Sequence, residues 1–345
     1  MKLLVFTQKI DLNDTVLSFF HRWVIELAKH FEQVTVICLY EGKHELPANV
    51  RLYSLGKENG QSRFKYLTNF YRHIFKLRHD YDAVFVHMNQ EYVLLGGIIW
   101  RSIGKRIYMW RNHYAGSFLT DMASAFCTKM FCTSKYSYTA KYRKTVFMPV
   151  GIDTDLFSAR ASTVRQPMSI LSLGRIAPSK KLDQLIEALG ILKKEGIGFS
   201  ASIVGDPLPQ DAEYFVSLKE RVSELRIEGP IRFNPGMPYD QTPSAYAANC
   251  LFVNLSPSGM LDKTIFEAMS CGTLAITCNK DLAEKIPPEY IFSEDDVIGL
   301  GARIGNLLAL SADDREVRGR ILRKFTEENH SLSMLGSRLA KEMDR

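Results

Sequence analysis

The sequence predicts an α/β protein built as two doubly wound sheets in tandem, and three observations lead there. Short β-branched or aromatic runs alternate with longer amphipathic stretches through both halves of the chain. Most of the short runs are apolar on both faces, as in parallel strands covered by helices on either side. Between the two series, residues 158–167 are polar and aperiodic, which fits a linker. The 345 residues suit two domains. These are expected over residues 1–160 and 161–325, with a C-terminal helix over 326–345 returning toward the first.

In the first series, residues 2–7, 33–39, 83–87, 106–110 and 129–133 read as strands. Residues 16–30 read as a helix between the first two, with Asp14 or Thr15 as its N-cap. That rhythm means right-handed crossovers. The second series runs strand 169–173, helix 182–195, strand 199–204, helix 212–225, then strands 231–234, 251–255, 274–277 and 290–292. A last helical stretch, about 311–341 with a break near Asn329-His330-Ser331, is long enough to reach back to the first domain. Two such sheets would leave a cleft between their carboxyl edges, where ligands of open α/β sheets bind.

Composition excludes other classes. With 46% apolar and 24% charged residues, the chain is neither disordered, fibrous nor collagen-like. Its most apolar stretch, residues 92–100, runs into Arg101, Lys105 and Arg106, well short of the roughly 18 apolar residues a spanning helix needs. The N-terminus has too short an apolar part for a signal peptide and reads as the first strand. Six scattered cysteines form no CxxC pair and no Cys/His cluster, the pattern of reduced thiols in a cytoplasmic protein.

Charge is unevenly shared: residues 1–160 carry a net +9 and residues 161–345 a net −3. Lys57, Arg63, Lys65, Arg72, Lys76 and Arg78 face only Glu58, and Phe64, Tyr66, Phe70, Tyr71 and Phe75 interleave with them. Such a segment suits an anionic membrane surface or an anionic substrate. It equally suits an ordinary surface helix with its aromatics turned inward. No nucleic-acid-binding motif accompanies it, so nucleic acid is not an expected partner.

Two loops after strands carry groups suited to a phosphorylated ligand. Ser172-Leu-Gly-Arg-Ile-Ala-Pro-Ser-Lys-Lys-Leu places Gly174, Arg175 and Lys180 between a strand and a helix. Arginine grips phosphate oxygens bidentately and lysine acts as a mobile point charge, so the pair suits a diphosphate. It could also be a basic surface loop. Ser256-Pro-Ser-Gly-Met-Leu-Asp-Lys-Thr-Ile-Phe-Glu-Ala-Met-Ser-Cys-Gly leads into a helix over 262–270, closed by Gly272 as a C′ glycine. The N–H groups of residues 260–264 there form a ready anion site. Glu267, within this helix, reads as a carboxylate for a sugar's vicinal hydroxyls or as an exposed helix charge.

At these residues the chain resembles the family-4 retaining glycosyltransferases of the GT-B fold. The resemblance is carried by Leu173-Gly-Arg-Ile-Ala-Pro-Ser-Lys-Lys-Leu-Asp, by Phe266-Glu-Ala-Met-Ser-Cys-Gly-Thr-Leu-Ala-Ile-Thr, and by Pro149-Val-Gly-Ile-Asp, in that family's order and spacing. It implies two Rossmann-like domains facing a cleft, acceptor-side first and nucleotide-sugar-binding second. It further implies a hexosyltransferase acting with retention, in bacterial-type polysaccharide or glycolipid assembly. Arg175 and Lys180 would hold the donor diphosphate, with Gly174 beside them, and Glu267 the ribose. No metal or other cofactor would be required, since the two cations stand in for one.

One departure from the family pattern is Gly259, where the resemblance expects the first glutamate of a Glu-x7-Glu pair that contacts the donor sugar. Asp262, or the backbone amides of Gly259, Met260 and Leu261, would take over those contacts. In the first domain Lys9, Asp11 and Asn13 replace a glycine pair in the acceptor loop. His113 and, second to it, His87 are candidates for the histidine that similar enzymes set near the reacting sugar. The implied partners are a nucleotide-sugar donor, a glycan or lipid-linked acceptor and an anionic membrane surface, in a cytoplasmic protein peripheral to the inner membrane face. The alternative is a catalytically silent GT-B protein that binds a nucleotide sugar or scaffolds partners.

Overall fold

The computed structural model describes residues 1–158 and 164–344. The expected boundary at 160/161 and the middle of the polar linker lie outside these. The chain forms two compact units, one of Met1–Gly151 with Leu332–Arg345 and one of Ile152–Ser331.

The first unit holds a parallel sheet of β1 (Lys2–Ile10), β2 (Gln33–Glu41), β3 (Val50–Ser54), β4 (Ala83–His87), β5 (Arg106–Trp110), β6 (Lys129–Cys132) and β7 (Thr145–Phe147). Their order is β3-β2-β1-β4-β5-β6-β7. Strands β3 and β7 are absent from the sequence reading; both are short, half-exposed edges of the sheet. Strand β1 runs past residue 7 because Lys9 and Ile10 pair with Tyr40 and Glu41 of β2, and the Lys9 ammonium lies 4.4 Å over the Tyr40 ring.

Helices α1 (Phe19–Ala28), α2 (Arg63–Lys76), α3 (Gln90–Ser102) and α4 (Phe118–Phe126) cover this sheet. The alternation within β1 sorts the core. Leu3 and Val5 meet Trp23, Val24 and Leu27 of α1 on one side, while Leu4 and Phe6 meet Phe70, Tyr92 and Trp100 of α2 and α3 on the other. Helix α1 starts at Phe19, later than expected, because Asp14 accepts hydrogen bonds from the N–H groups of Val16 and Leu17 at 2.8 and 2.6 Å and holds a turn ahead of it.

The second unit holds β8 (Ser169–Leu173), β9 (Ser200–Val204), β10 (Ile231–Asn234), β11 (Leu251–Asn254) and β12 (Leu274–Thr277), in the order β10-β9-β8-β11-β12 and all parallel. Its helices are α5 (Leu182–Lys194), α6 (Ala212–Glu224), α7 (Thr242–Ala248), α8 (Lys263–Ser270), α9 (Val297–Leu308) and α10 (Ala312–His330). The strand expected at 290–292 is a short 3-10 turn over Pro288–Tyr290 with one bridge from Thr277 to Ile291. The N–H groups of Tyr290 and Ile291 are taken up by the carbonyls of Pro287 and Pro288 at 3.1 Å each, which leaves only that of Phe292 to reach Thr277 at 3.2 Å. Because the chain leaves β8 toward β9 and later returns to β11 on its other side, the loops after β8 and β11 diverge and open a crevice.

Helix α11 (Leu332–Asp344) belongs to the first unit. Leu335, Leu339 and Met343 join the α1 side of its core, and the Tyr108 hydroxyl donates to the Met343 carbonyl at 2.9 Å. Among the described residues no helix is long and apolar enough to cross a membrane, and all six cysteines are buried and in no disulfide.

His330, the last residue of α10, packs its ring 4.4 Å from that of Phe266 in α8. Burial, reinforced by Lys285, lowers its pKa to about 3. The folded ring stays neutral while the unfolded chain takes up a proton below about pH 6.5, so stability is full above that pH and falls below it by about 1.4 kcal/mol per unit. Between pH 7 and pH 5 the melting temperature is expected to drop less in His330→Phe than in the wild type. An equal drop in both would contradict the assignment.

Candidate functional site

The crevice of the second unit is built first from backbone. At the ends of β8 and β9, Gly174 and Gly205 have φ of +144° and +153°, and a Cβ on Gly205 would lie 1.9 Å from the Gly174 carbonyl oxygen. Only glycine permits that approach. It lays the loop after β8 across the end of β9, where Ile176 donates to the Asp206 carbonyl at 3.1 Å. Buried Ile176 and Ala177 anchor the loop and leave Arg175 exposed between them and β8. The adjacent lysines then part. Lys181, at φ +47°, turns into α5 and its ammonium binds Glu294 and Asp295 at 2.8 and 2.7 Å. Lys180 points instead into the crevice, which is lined by Gly174, Arg175, Lys180, Val204, Asn254 and Leu255.

There Lys180 meets Asp262, the N-cap of α8, in an ion pair, and lies 3.1 Å from the Ser256 hydroxyl. Asp262 is the hub of this arrangement. It accepts from the Ser256 hydroxyl at 2.9 Å, from the Asn254 amide at 3.1 Å and from the Thr264 N–H at 3.2 Å. Burial alone would raise its pKa, yet the Lys180 charge and these hydrogen bonds hold the carboxyl well below the usual carboxylate range. The Asn279 amide donates to the Met260 carbonyl at 3.0 Å, and Lys280 donates its N–H to the Ser258 hydroxyl at 2.9 Å. Loop 256–262 is thereby held from both neighbouring strands. Asn254, Ser256 and Asn279 were not read as site residues, although a polar residue ending an apolar strand is the signal that finds Asn254.

Two sequence expectations change here. Gly259 has φ +94°, so a glutamate at this position would be strained. The free N–H groups at the head of α8 are also fewer than expected, because Asp262 takes that of Thr264. The Leu261 side chain is buried core.

Glu267 is 4% exposed, which excludes the solvated helix charge. Its carboxylate accepts from the Tyr246 hydroxyl of α7 at 3.0 Å. Burial pushes its pKa up, and Lys263 one turn earlier is pushed down by the same burial, each holding the other charged. At the other end of α8, the Arg165 guanidinium donates to the carbonyls of Cys271 and Gly272 at 3.1 and 2.8 Å. An eight-residue helix is thus pinned at both ends.

In the first unit, Lys9 lies in β1 and not in a loop; its ammonium binds Asp14 at 2.7 Å and Asp11 at 3.3 Å. Asp11 is buried and Asn13 exposed. His87 is buried, stacked 4.0 Å from the Phe20 ring and 3.4 Å from the Thr7 hydroxyl, which makes it a core residue. His113 is half-buried after β5, its Nδ1 lying 2.9 Å from the Ala115 N and 3.2 Å from the Ala115 carbonyl oxygen.

Among the described residues no group of three or more His, Cys, Asp or Glu is placed to hold a metal ion. Of the two Asp-x-Asp pairs in the sequence, Asp153-Thr-Asp155 shapes a turn, with Asp153 accepting from the Leu156 N–H at 3.0 Å, and in Asp80-Tyr-Asp82 the Asp82 carboxylate accepts from the Lys2 N–H at 2.7 Å.

Two Rossmann-like units, each with a reversal of strand order, define the class of the chain as the GT-B fold. Anabaena HepE in complex with UDP and glucose shares it at a TM-score of 0.80 and 16% identity, over 100% of this chain and 99% of that one. Sucrose-phosphate synthase from Thermosynechococcus elongatus matches at 0.78 and 16%, over 99% and 97%. More particularly, residues 157–291 match the family described as glycosyl transferases group 1, a stretch holding Arg175, Lys180, Asp262 and Glu267. Mannosylfructose-phosphate synthase of Agrobacterium fabrum is 28% identical over 148 residues, 39% of this chain and 33% of that protein. A sulfoquinovosyl transferase of Arabidopsis thaliana is 26% identical over 195 residues, 52% and 36% of the two. The chain spans about a third of the length of these curated relatives.

Asp262 also sets an acid limit on stability. With its carboxyl held below the ordinary value, its contribution is full above about pH 4 and is lost as pH falls below that. Asp262→Asn is expected to cost about 1–3 kcal/mol at pH 7, and to lose less stability than the wild type between pH 5 and pH 3. Chemical denaturation at the two pH values measures both.

Proposed function

We propose that the chain is a retaining glycosyltransferase. It moves a hexosyl group from a nucleotide-sugar donor to a hydroxyl of a glycan or lipid-linked acceptor, in polysaccharide or glycolipid assembly at the inner membrane face. The observation that carries this is the meeting of Arg175, Lys180 and the head of α8 at the strand-order reversal of the second unit. Among the described residues the Arg175 guanidinium has no ion pair, which suits it to an incoming anion. The matched family and the transferase and synthase names of the relatives support the same reading.

As the bond from the sugar to the diphosphate breaks, negative charge grows on the leaving oxygen. Arg175 and Lys180 stabilise it in place of a metal, each well-placed donor being worth roughly 3–4 kcal/mol. Lys180 reaches the diphosphate by giving up Asp262, whose carboxylate is then free to accept a donor-sugar hydroxyl near Gly259. Glu267 accepts from the ribose hydroxyls and is oriented by Tyr246. His113 is assigned to the reacting sugar; Lys9, Asp11 and Asn13 line the acceptor side.

A thermal-shift panel of UDP-, GDP-, ADP- and dTDP-sugars, with and without EDTA, tests the donor. One nucleotide is expected to stabilise the protein regardless of EDTA, with affinity falling at least about tenfold in Glu267→Ala and kcat about 100-fold in Arg175→Ala. Product stereochemistry by NMR tests retention. The left-handed Gly259 favours one second reading, a silent nucleotide-sugar-binding protein; transfer or donor hydrolysis rejects it, and no shift with any nucleotide sugar overturns both.

A further inference from the structure

We propose that the outer face of α2, α3 and α4 in the first unit docks on a lipid bilayer carrying anionic headgroups. The proposal rests on the reading of a membrane-bound acceptor for its purpose, but its observations are separate from the donor site.

The three helices cover one side of the sheet, and their inward residues form its core. They lie side by side. The Tyr71 hydroxyl of α2 donates to the Leu95 carbonyl of α3 at 3.3 Å, and α3 meets α4 so closely that a Cβ on Gly97 would lie 2.7 Å from the Phe126 ring. Each helix nevertheless turns a large apolar side chain outward: Phe64 is 75% exposed, Ile98 67% and Phe118 74%. Helical spacing sets further exposed residues in the same stripes, Phe75 on α2, Leu95 on α3 and Met122 on α4. Single exposed apolar residues need no explanation, but outward stripes on three adjacent helices do.

Charge decides the occupant. Arg63, Lys65, Arg72 and Lys76 are all exposed on α2, and none has an ion pair among the described residues. Helix α2 has no acidic residue. The acidic residues of the other two helices are Glu91 and Asp121, and Asp121 is already bound to Lys141 at 2.7 Å. A two-fold pairing of this face with a second copy would set α2's unpaired charges against a like patch. An anionic bilayer instead attracts each Lys or Arg by about fivefold in affinity, while Phe64, Ile98 and Phe118 enter the interface.

Vesicle flotation of the full chain tests this, with phosphatidylcholine alone and with added phosphatidylglycerol, at low and high salt. Binding is expected only with phosphatidylglycerol, weakened by salt, and lowered at least about tenfold in Arg72→Glu/Lys76→Glu. Phe64→Ser/Ile98→Ser/Phe118→Ser should also lose it, with an unchanged melting temperature, since all three side chains are exposed. The proposal is overturned by no flotation at low salt, by equal binding to both vesicles, by variants that bind like the wild type, or by a dimer in solution that both variants disrupt. The nucleotide-sugar panel on the same preparations separates the two claims. Vesicle binding without a nucleotide shift overturns the donor reading alone, and a shift without vesicle binding overturns the docking alone.

Discussion

The carboxylate of Asp262 holds the candidate site together. It caps α8, fixes the side chains of Asn254 and Ser256, and draws Lys180 across the crevice from a loop 82 residues earlier in the chain. Without that pull, Lys180 would be a mobile lysine at the rim of the crevice. With it, the cation waits where the loops after β8 and β11 diverge, its side chain already ordered before a ligand arrives. The arrangement has a cost for an anionic ligand, which must compete with a built-in anion for Lys180. It also has a use, since the displaced carboxylate stays within reach of whatever the ligand brings. Arg175, with no such partner among the described residues, is the cation that needs no exchange.

The remaining polar groups of the crevice serve rigidity. Asn279 and Ser258 tie loop 256–262 to the strand on one side and Asn254 ties it on the other, so the left-handed Gly259 is held in a loop that cannot relax. Burial of Glu267 against Tyr246 does for the body of α8 what Arg165 does for its end. A short helix fixed at its head, middle and tail can aim its first N–H groups and its dipole at one point.

Much of the fold was legible because parallel strands packed between helices are apolar on both faces: β4, β5, β8 and β12 are mostly buried and stand where the sequence puts them, as does the short edge strand β10. Strands β3 and β7, short and half-exposed at the edges of their sheet, carry little such signal, and residues 290–292 reach their sheet through a single bridge because a 3-10 turn takes up their first N–H groups. Arg175, Lys180, Asp262 and Glu267 stood out through the motifs that carry the family resemblance, since spacing alone left a basic surface loop and a solvated helix charge open. Their pairing was not legible, because three helices and three strands separate Lys180 from Asp262 along the chain. Nor was the left-handed backbone at Gly259, or the burial that makes His87 part of a core, since neither leaves a periodic trace. In the segment of residues 57–78 the apolar side chains divide, Phe70 and Ile74 turning inward while Phe64 and Phe75 stay exposed.

The central claim is that the crevice between β8 and β11 receives a diphosphate that takes Lys180 from Asp262. The most direct measurement is a crystal structure of the protein grown with the nucleoside diphosphate that stabilises it best. The account predicts phosphate oxygens within hydrogen-bond distance of Arg175, Lys180 and the backbone N–H groups at the head of α8, with the Lys180 to Asp262 pair opened. A nucleotide bound elsewhere, or one bound in this crevice with that pair intact, would contradict it.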